Sequence, residues 1–373
     1  MMKIFLTGAH LTPALAMIDY IQVSHADDQL VFLGRLYSQE RLKQKAVEEL
    51  EVKKRGVKFI PFAAVKFVNS SIIDLILAIF TFPKTVGKAR KILRQEKPDV
   101  LLSFGSYLAV PFVLAAKSLK IPVVTHEQTI AMGKANQFIA NLADKVAISF
   151  PQTSQYMKKD NFYLTGNPVR QAIFQKNLKK PAYLPSKTDQ IILIMGGNQG
   201  SFVINNIVKL VLNDLLKDFT VVHQCGRANS LKNFPAELSK IKSTLPKKMQ
   251  NRYFVRQWIE EEELFWLYQN SVLAVSRAGA NTILELCLAK LPSILIPLPN
   301  THNNEQVLNA KMMVKVGGAI IVDQQNLTAK SLLNAITTVH KHHQEMRQKL
   351  AKLKFHQEAE AKIYQLLVDV CQQ

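Results

Sequence analysis

The stretch Ser276-Arg277-Ala278-Gly279-Ala280-Asn281-Thr282-Ile283-Leu284-Glu285 lies between two apolar runs, Val272 to Val275 and Ile294 to Pro297. It reads as strand, glycine turn, helix, strand. Two strands joined through a helix pair in parallel, so this order commits the region to an α/β layer architecture. A small-residue turn also leaves the helix's first N–H groups unpaired, and their dipole favours an anion such as a diphosphate. Glu285 falls within the first two helical turns, where a carboxylate can accept hydrogen bonds from a ribose diol; a solvated surface carboxylate is the alternative.

The same alternation recurs along the chain. Lys3 to Thr7 is a strand, Gly8-Ala9-His10 a turn, and a helix begins near Pro13. Strand Gln29 to Gly34, a charged helix from about Ser38 to Lys54 and strand Val57 to Pro61 follow. Asp99 to Phe104 leads into Gly105-Ser106-Tyr107, and Ile121 to Thr125 into His126-Glu127-Gln128-Thr129. Farther on, Gln190 to Met195 ends in Gly196-Gly197-Asn198-Gln199-Gly200-Ser201, whose paired glycines let backbone N–H groups face an anion. Strands Phe219 to Cys225 and Ala319 to Val322 and a helical tail from Thr328 to Gln373 complete the reading.

With 373 residues, 48% of them hydrophobic, the chain can bury two separate cores. The net charge of +20 implies an anionic partner. Its basic residues are dispersed, without an aromatic platform or a recognition motif, so nucleic acid is not expected. Cys225, Cys287 and Cys371 are too few and too widely spaced for a disulfide framework or a zinc cluster, which fits a reducing cytoplasm. Cys225 reads as a packing residue. The N-terminus lacks a signal-peptide pattern, and no segment reaches the roughly 20 apolar residues that span a bilayer.

Several residue types at strand ends suit chemistry. His10 could accept a proton from an incoming hydroxyl, or be a turn histidine satisfied by solvent. His126 and Glu127 suit acceptor binding or support of a base, or else satisfy loop backbone. The apolar segment containing Ile76, Ile79, Phe80 and Phe82 runs into Lys84, Lys88, Arg90, Lys91 and Arg94. That pattern suits a surface dipping among anionic lipid headgroups, or a core helix with a basic tail. The acidic run Glu260 to Glu263 reads as a helix N-terminus. His340, His342 and His343 have no metal-like companions and read as solvated.

These motifs resemble the MurG family, the N-acetylglucosaminyltransferases of bacterial peptidoglycan synthesis. The 276–285 stretch, followed by Pro299, Gln306, Asn309 and Ala310, resembles the family pattern S-R-x-G-A-x-T-x-x-E, then P-x-x-x-x-x-x-Q-x-x-N-A. Gly8 to Ala16 resembles G-G-T-G-G-H-x-x-P-A-L-A, although Phe5, Leu6 and Ala9 stand at glycine positions. His126 to Thr129 is similar to H-E-Q-N with Thr129 for asparagine, and Gly105-Ser106-Tyr107 to G-G-Y with Ser106 for glycine. Thr165 to Arg170 matches the hinge T-G-N-P-V-R, and Gly196 to Asn205 resembles G-G-S-x-G-x-x-x-x-N with Asn198 for serine.

The resemblance implies a GT-B architecture, two Rossmann-like domains facing a cleft. Residues 1–164 would be the acceptor- and membrane-facing domain and 165–345 the UDP-sugar domain, with a helix from about 346 to 373 packing back on the first. It implies transfer of N-acetylglucosamine from UDP-N-acetylglucosamine to a lipid-linked acceptor, lipid I to lipid II, with inversion, by a peripheral enzyme on the cytoplasmic face of an anionic membrane. His10 and Glu127 would be catalytic. Gly8, Thr12, Gly105, Tyr107, His126, Gln128 and Thr129 would bind acceptor. Arg170, Asn198, Gln199, Ile259, Ala280, Asn281, Thr282, Glu285, Gln306 and Asn309 would bind donor, and Ile76, Ile79, Phe80, Phe82, Lys84 and Lys88 would meet the membrane. No cofactor is expected. No Asp-x-Asp triplet is present, so leaving-group charge would fall on helix N-termini and Arg170 rather than on a metal. The alternatives are a GT-B enzyme with another lipid acceptor, such as diacylglycerol, and a non-catalytic sugar-nucleotide binder.

Overall fold

The computed structural model describes the chain except Ala9, Leu36, 40–43, Ala46, 65–71, Asp189, Asn198, Gln199, 228–232, His302, Asn303, 354–357 and Gln373; for Ser38, Gln39, Gln44, Lys45 and 72–80 it describes backbone alone. The chain divides into two compact units, Met1–Gln171 with His356–Gln373, and Ala172–Phe355. The division falls after Gln171, whereas the sequence reading put it between 164 and 165.

In the first unit, β1 (Lys3–Thr7) leads to α1 (Leu11–Ser24) and β2 (Gln29–Gly34). A short antiparallel pair, β3 (Tyr37–Gln39) and β4 (Gln44–Lys45), precedes α2 (Val47–Lys54) and β5 (Lys58–Pro61). The helix expected from Ser38 therefore starts only at Val47, where Glu48 and Glu49 occupy the first turn and complement the dipole. Next come α3 (Ile72–Glu96), β6 (Val100–Ser103), α4 (Val110–Ser118), β7 (Val123–Glu127), α5 (Lys134–Leu142), β8 (Lys145–Ile148) and β9 (Phe162–Leu164). The strands form a parallel sheet in the order β5-β2-β1-β6-β7-β8-β9. β6 and β7 are buried along their whole length, as strands covered on both faces must be. Successive β1 side chains alternate between layers: Phe5 packs with Leu101 and Phe112, Ile4 and Leu6 with Ile18 and Leu102.

The second unit runs β10 (Ile191–Met195), α6 (Phe202–Asp218), β11 (Thr220–Gln224), α7 (Phe234–Thr244), α8 (Lys247–Gln250), β12 (Tyr253–Arg256) and α9 (Glu261–Asn270). It continues through β13 (Ser271–Ser276), α10 (Ala280–Leu288), β14 (Ser293–Leu295), α11 (Glu305–Lys315), β15 (Ala319–Ile321) and α12 (Ala329–Ala351). Its sheet is parallel, in the order β12-β11-β10-β13-β14-β15. Three glutamates, Glu261 to Glu263, fill the first turn of α9, as the acidic run led one to expect.

The expected continuous tail is two helices. Thr328 caps α12 through a capping box with Ser331, and Leu332 and Ile336 of α12 join the core of the second unit with Ile192 and Val208. The last helix, α13 (Ala359–Cys371), belongs to the first unit, where Ile363 and Leu367 pack with Ile4 and Leu6. It is fastened there by an ion pair between Asp369 and Lys145 at 2.6 Å and by the Val169 N–H donating to Glu360 Oε1 at 2.6 Å. The helix that packs on the first unit thus begins at Ala359, where the sequence leads one to expect about 346.

Candidate active site

In a doubly wound sheet, ligands bind at the carboxyl ends of the strands where the strand order reverses. In the first sheet that point lies between β1 and β6, so Gly8, His10 and Phe104–Tyr107 flank it. In the second it lies between β10 and β13, flanked by Gly196, Gly197 and Ser201 and by the turn 277–279. His126 to Thr129 ends the next strand over, β7.

In the first unit, half-buried His10 precedes α1, and its Nδ1 stands 2.5 Å from the side-chain amide of Gln128. Burial and the Arg35 guanidinium lower the His10 pKa to about 4, which keeps the imidazole neutral. Buried His126 has its Nε2 at 3.1 Å from both the Gly166 carbonyl and Ser149 Oγ. Burial, above all, lowers its pKa to about 4, and its Nδ1 has no hydrogen-bond partner among the described residues.

Glu127 is occupied by its own fold. Oε1 accepts from the Thr129 N–H at 2.9 Å and the Thr129 hydroxyl at 2.6 Å, while Oε2 accepts from Asn136 Nδ2 at 2.6 Å. Asn136 Oδ1 in turn accepts the Ser106 N–H at 2.7 Å. Burial raises the Glu127 pKa against these donors. Glu127 and Thr129 thus hold the 105–107 turn, in which both Gly105 (φ 75°) and Ser106 (φ 70°) are left-handed. That backbone explains why glycine is the easier residue at both positions. Gly8 is needed for packing, since a Cβ there would overlap the backbone of Phe104. Thr12 and Tyr107 are half-buried.

In the second unit, Gly279 at the start of α10 has no side chain with which to cap that helix, and the N–H groups of its first turn, Ala280 to Thr282, point towards the turn as an anion site needs. Glu285 is buried and accepts from the Tyr268 hydroxyl at 3.1 Å, which excludes a solvated surface carboxylate. Gln306 Oε1 accepts from Ala278 N–H at 3.3 Å and Leu298 N–H at 3.0 Å, and Asn309 Nδ2 donates to the Ala278 carbonyl at 3.1 Å. Expected to read a sugar directly, these two amides grip the turn with those atoms. The Ile259 side chain is buried and its N–H donates to Gln224 Oε1 at 3.1 Å.

Three residues to which the sequence reading gave no role organise these turns. Arg277 donates to the Ile296 carbonyl at 2.9 Å and to Ser201 Oγ at 2.8 Å, joining the two turns at the switch point. Ser201 itself caps α6. Gln224 ties Ile259 to the Gly197 carbonyl, and Asn136 carries the chain from Glu127 to Ser106. Arg277 was visible only as the arginine of its motif; Gln224 and Asn136 gave no periodic signal.

Asn198 and Gln199, expected at the donor, lie outside the described residues, as do the side chains of Ile76, Ile79 and Phe80. Phe82 is half-buried, and Lys84 and Lys88 are exposed on α3. Among the described residues, no helix is long and apolar enough to cross a membrane. Half-buried Arg170 lies at the end of the first unit. Cys225 is buried, and burial pushes its thiol up to about 11. His340 is not simply solvated: it stacks on His343 and meets Gln190 Oε1 at 2.9 Å.

Residues 7–148 match the glycosyltransferase family 28 N-terminal domain and residues 191–365 the family 28 C-terminal domain. The chain is 32% identical over 344 residues to UDP-N-acetylglucosamine--N-acetylmuramyl-(pentapeptide) pyrophosphoryl-undecaprenol N-acetylglucosamine transferase of Clostridium botulinum strain Langeland, covering 90% of each chain. It is 30% identical to the protein of the same name from Clostridium tetani, covering 90% of this chain and 88% of that one. The crystal structure of Acinetobacter baumannii MurG superposes with a TM-score of 0.67 at 23% identity, over 99% of this chain and all of that one. UDP-GlcNAc 2-epimerase of Neisseria meningitidis, solved with UDP-GlcNAc, shares the fold at a TM-score of 0.64 and 14% identity. Two Rossmann-like parallel-sheet units, motif turns at both switch points and relatives spanning nine-tenths of the sequence lead to one assignment: this chain belongs to the MurG family of glycosyltransferases.

Proposed function

We propose that this protein transfers N-acetylglucosamine from UDP-N-acetylglucosamine to undecaprenyl-diphospho-N-acetylmuramoyl-pentapeptide, converting lipid I to lipid II with inversion at the anomeric carbon. The observation that carries the reading is the likeness to transferases so named over 90% of this chain. The second unit takes the sugar nucleotide, with its diphosphate at the first turn of α10 and its ribose against Glu285. The first unit takes the lipid-linked acceptor beside His10 and His126.

The acceptor hydroxyl oxygen forms the new bond to the anomeric carbon as the bond to the diphosphate breaks. UDP leaves with the electron pair, and the hydroxyl proton passes to His10. A neutral imidazole has the lone pair this needs, and a pKa lowered to about 4 keeps it available at pH 7. Charge growing on UDP is met by preorganised N–H groups and the helix dipole. Arg277, Gln306 and Asn309 keep the turn that presents those groups in place. Glu127 acts through the 105–107 turn as a positioning residue. The apolar start of α3 and the exposed Lys84 and Lys88 suit docking to an anionic membrane from the cytoplasmic side.

The test is incubation of the purified protein with radiolabelled UDP-sugars and a panel of lipid acceptors. Label from UDP-N-acetylglucosamine should enter lipid I alone. Label in diacylglycerol would move the activity to another acceptor, and nucleotide binding without transfer would make the protein a non-catalytic relative.

A further inference from the structure

We propose that Gln128 is a positioning residue that sets the tautomer of His10 and thereby makes its outer nitrogen the basic one; the proposal rests on the reading of His10 as the base. A neutral imidazole carries one N–H and one lone pair. His10 Nδ1 faces the Gln128 amide at 2.5 Å, so the nitrogen left to meet a hydroxyl is Nε2. Nε2 holds a lone pair only when Nδ1 holds the proton, and an Nδ1–H in this half-buried place needs an acceptor.

The Gln128 amide is the group in position to provide one. Its oxygen and nitrogen exchange places by a half-turn about the last side-chain torsion, which is a soft rotation. With the NH₂ towards Nδ1, the proton of the neutral imidazole sits on Nε2, which then has no lone pair to offer the hydroxyl. With the oxygen towards Nδ1, the Nδ1–H has its acceptor and Nε2 is the base. The neighbouring residues fix where the amide sits: Glu127 and Thr129, on either side in sequence, are both tied into the Asn136 chain.

The charged and titratable groups around His10 do not take over this task. Arg35 after β2 disfavours the imidazolium and is itself paired with Glu48 on α2 at 2.8 Å. His126 on β7 is buried and held neutral, its Nε2 beside the Gly166 carbonyl. An amide in place of a carboxylate also leaves the His10 pKa low, so the base stays unprotonated at neutral pH.

The experiment is a long-range proton–nitrogen NMR spectrum of the full-length protein labelled at its histidine nitrogens, with His10 assigned by difference against H10Q. The wild type should show the proton on Nδ1. Gln128→Glu should retain that tautomer and raise the acid limb of the kcat/KM profile by about one pH unit or more, since a carboxylate now faces the ring. Gln128→Leu should lower kcat at least about tenfold, with KM for UDP-N-acetylglucosamine unchanged. An Nε2–H tautomer in the wild type, or a Gln128→Glu profile that overlays the wild type, overturns the proposal. His10→Ala run alongside separates the two ideas: full turnover in that variant removes the base reading itself, whereas its inactivity together with wild-type kcat in Gln128→Leu removes only the role of Gln128.

Discussion

Asn309 Nδ2 donates to the carbonyl of Ala278 at 3.1 Å, across 31 residues of sequence and from one helix to the turn before another. With Gln306 Oε1 accepting the Ala278 N–H, one residue of the turn is held on both sides by α11. Replacing Asn309 by Ala removes one grip and leaves a buried carbonyl unpaired, a loss of about 1–3 kcal/mol. The expected outcome is a rise of roughly tenfold or more in the Kd for UDP, read by calorimetry, with a smaller effect on unfolding of the first unit.

Glu127→Gln is nearly isosteric, yet the chain of donors leaves no place for its NH₂. Ser106 N–H points at Asn136 Oδ1 and Asn136 Nδ2 at Glu127 Oε2, so a glutamine NH₂ on that side meets Asn136 donor to donor, and on the other side it meets the Thr129 N–H in the same way. Turning Asn136 over only moves the clash to Ser106. The variant should lose about 1–3 kcal/mol of stability in urea unfolding and show faster hydrogen exchange at the Ser106 amide. A direct proton-transfer role for Glu127 would instead reduce kcat without either change.

Ser106 is left-handed at φ 70°, a region costly by about 1 kcal/mol for a residue with a Cβ. Its hydroxyl accepts the Leu108 N–H at 3.3 Å and offsets part of that strain. Ser106→Gly should therefore be neutral to stabilising by up to about 1 kcal/mol in thermal unfolding, the reverse of the usual glycine penalty.

Three buried or half-buried histidines make the fold acid-sensitive. Burial lowers the pKa of His223 to about 3 and, with smaller contributions from Arg35 at His10 and from His10 at His126, those of His10 and His126 to about 4. The unfolded chain takes up protons near 6.5 while the folded chain does not, so stability falls as pH drops below that value, by about 1.4 kcal/mol per pH unit for each histidine. His223→Gln can still accept from Tyr253 and donate to Asn205, the two partners of the imidazole, each at 3.0 Å. Its unfolding free energy measured between pH 7 and pH 5 should decline with a shallower slope than that of the wild type.

The sheets and the places of the turns were legible because buried parallel strands are continuous apolar runs and the turns between them carry glycine. What those runs do not encode is the direction of a polar side chain at a strand end. Glu127, Gln306 and Asn309 are the residue types that read ligands, and they are equally the types that satisfy backbone. Only folding brings Ala278 beside Asn309, or Ser106 beside Asn136, and shows the second use. The break in the tail was hidden for a related reason: α12 ends at Lys352 in ordinary right-handed geometry, with no glycine or proline to mark it, while the helix after it serves the other unit. The antiparallel pair Tyr37–Gln39 and Gln44–Lys45 was missed because its strands are three and two residues long.

Whether the donor's diphosphate rests on the switch-point turn of the second unit is decided by a crystal structure with UDP-N-acetylglucosamine. Phosphate oxygens should lie within hydrogen-bond distance of the Ala280 to Thr282 N–H groups, with the ribose hydroxyls on Glu285. A nucleotide bound with its diphosphate away from the start of α10 would contradict that placement.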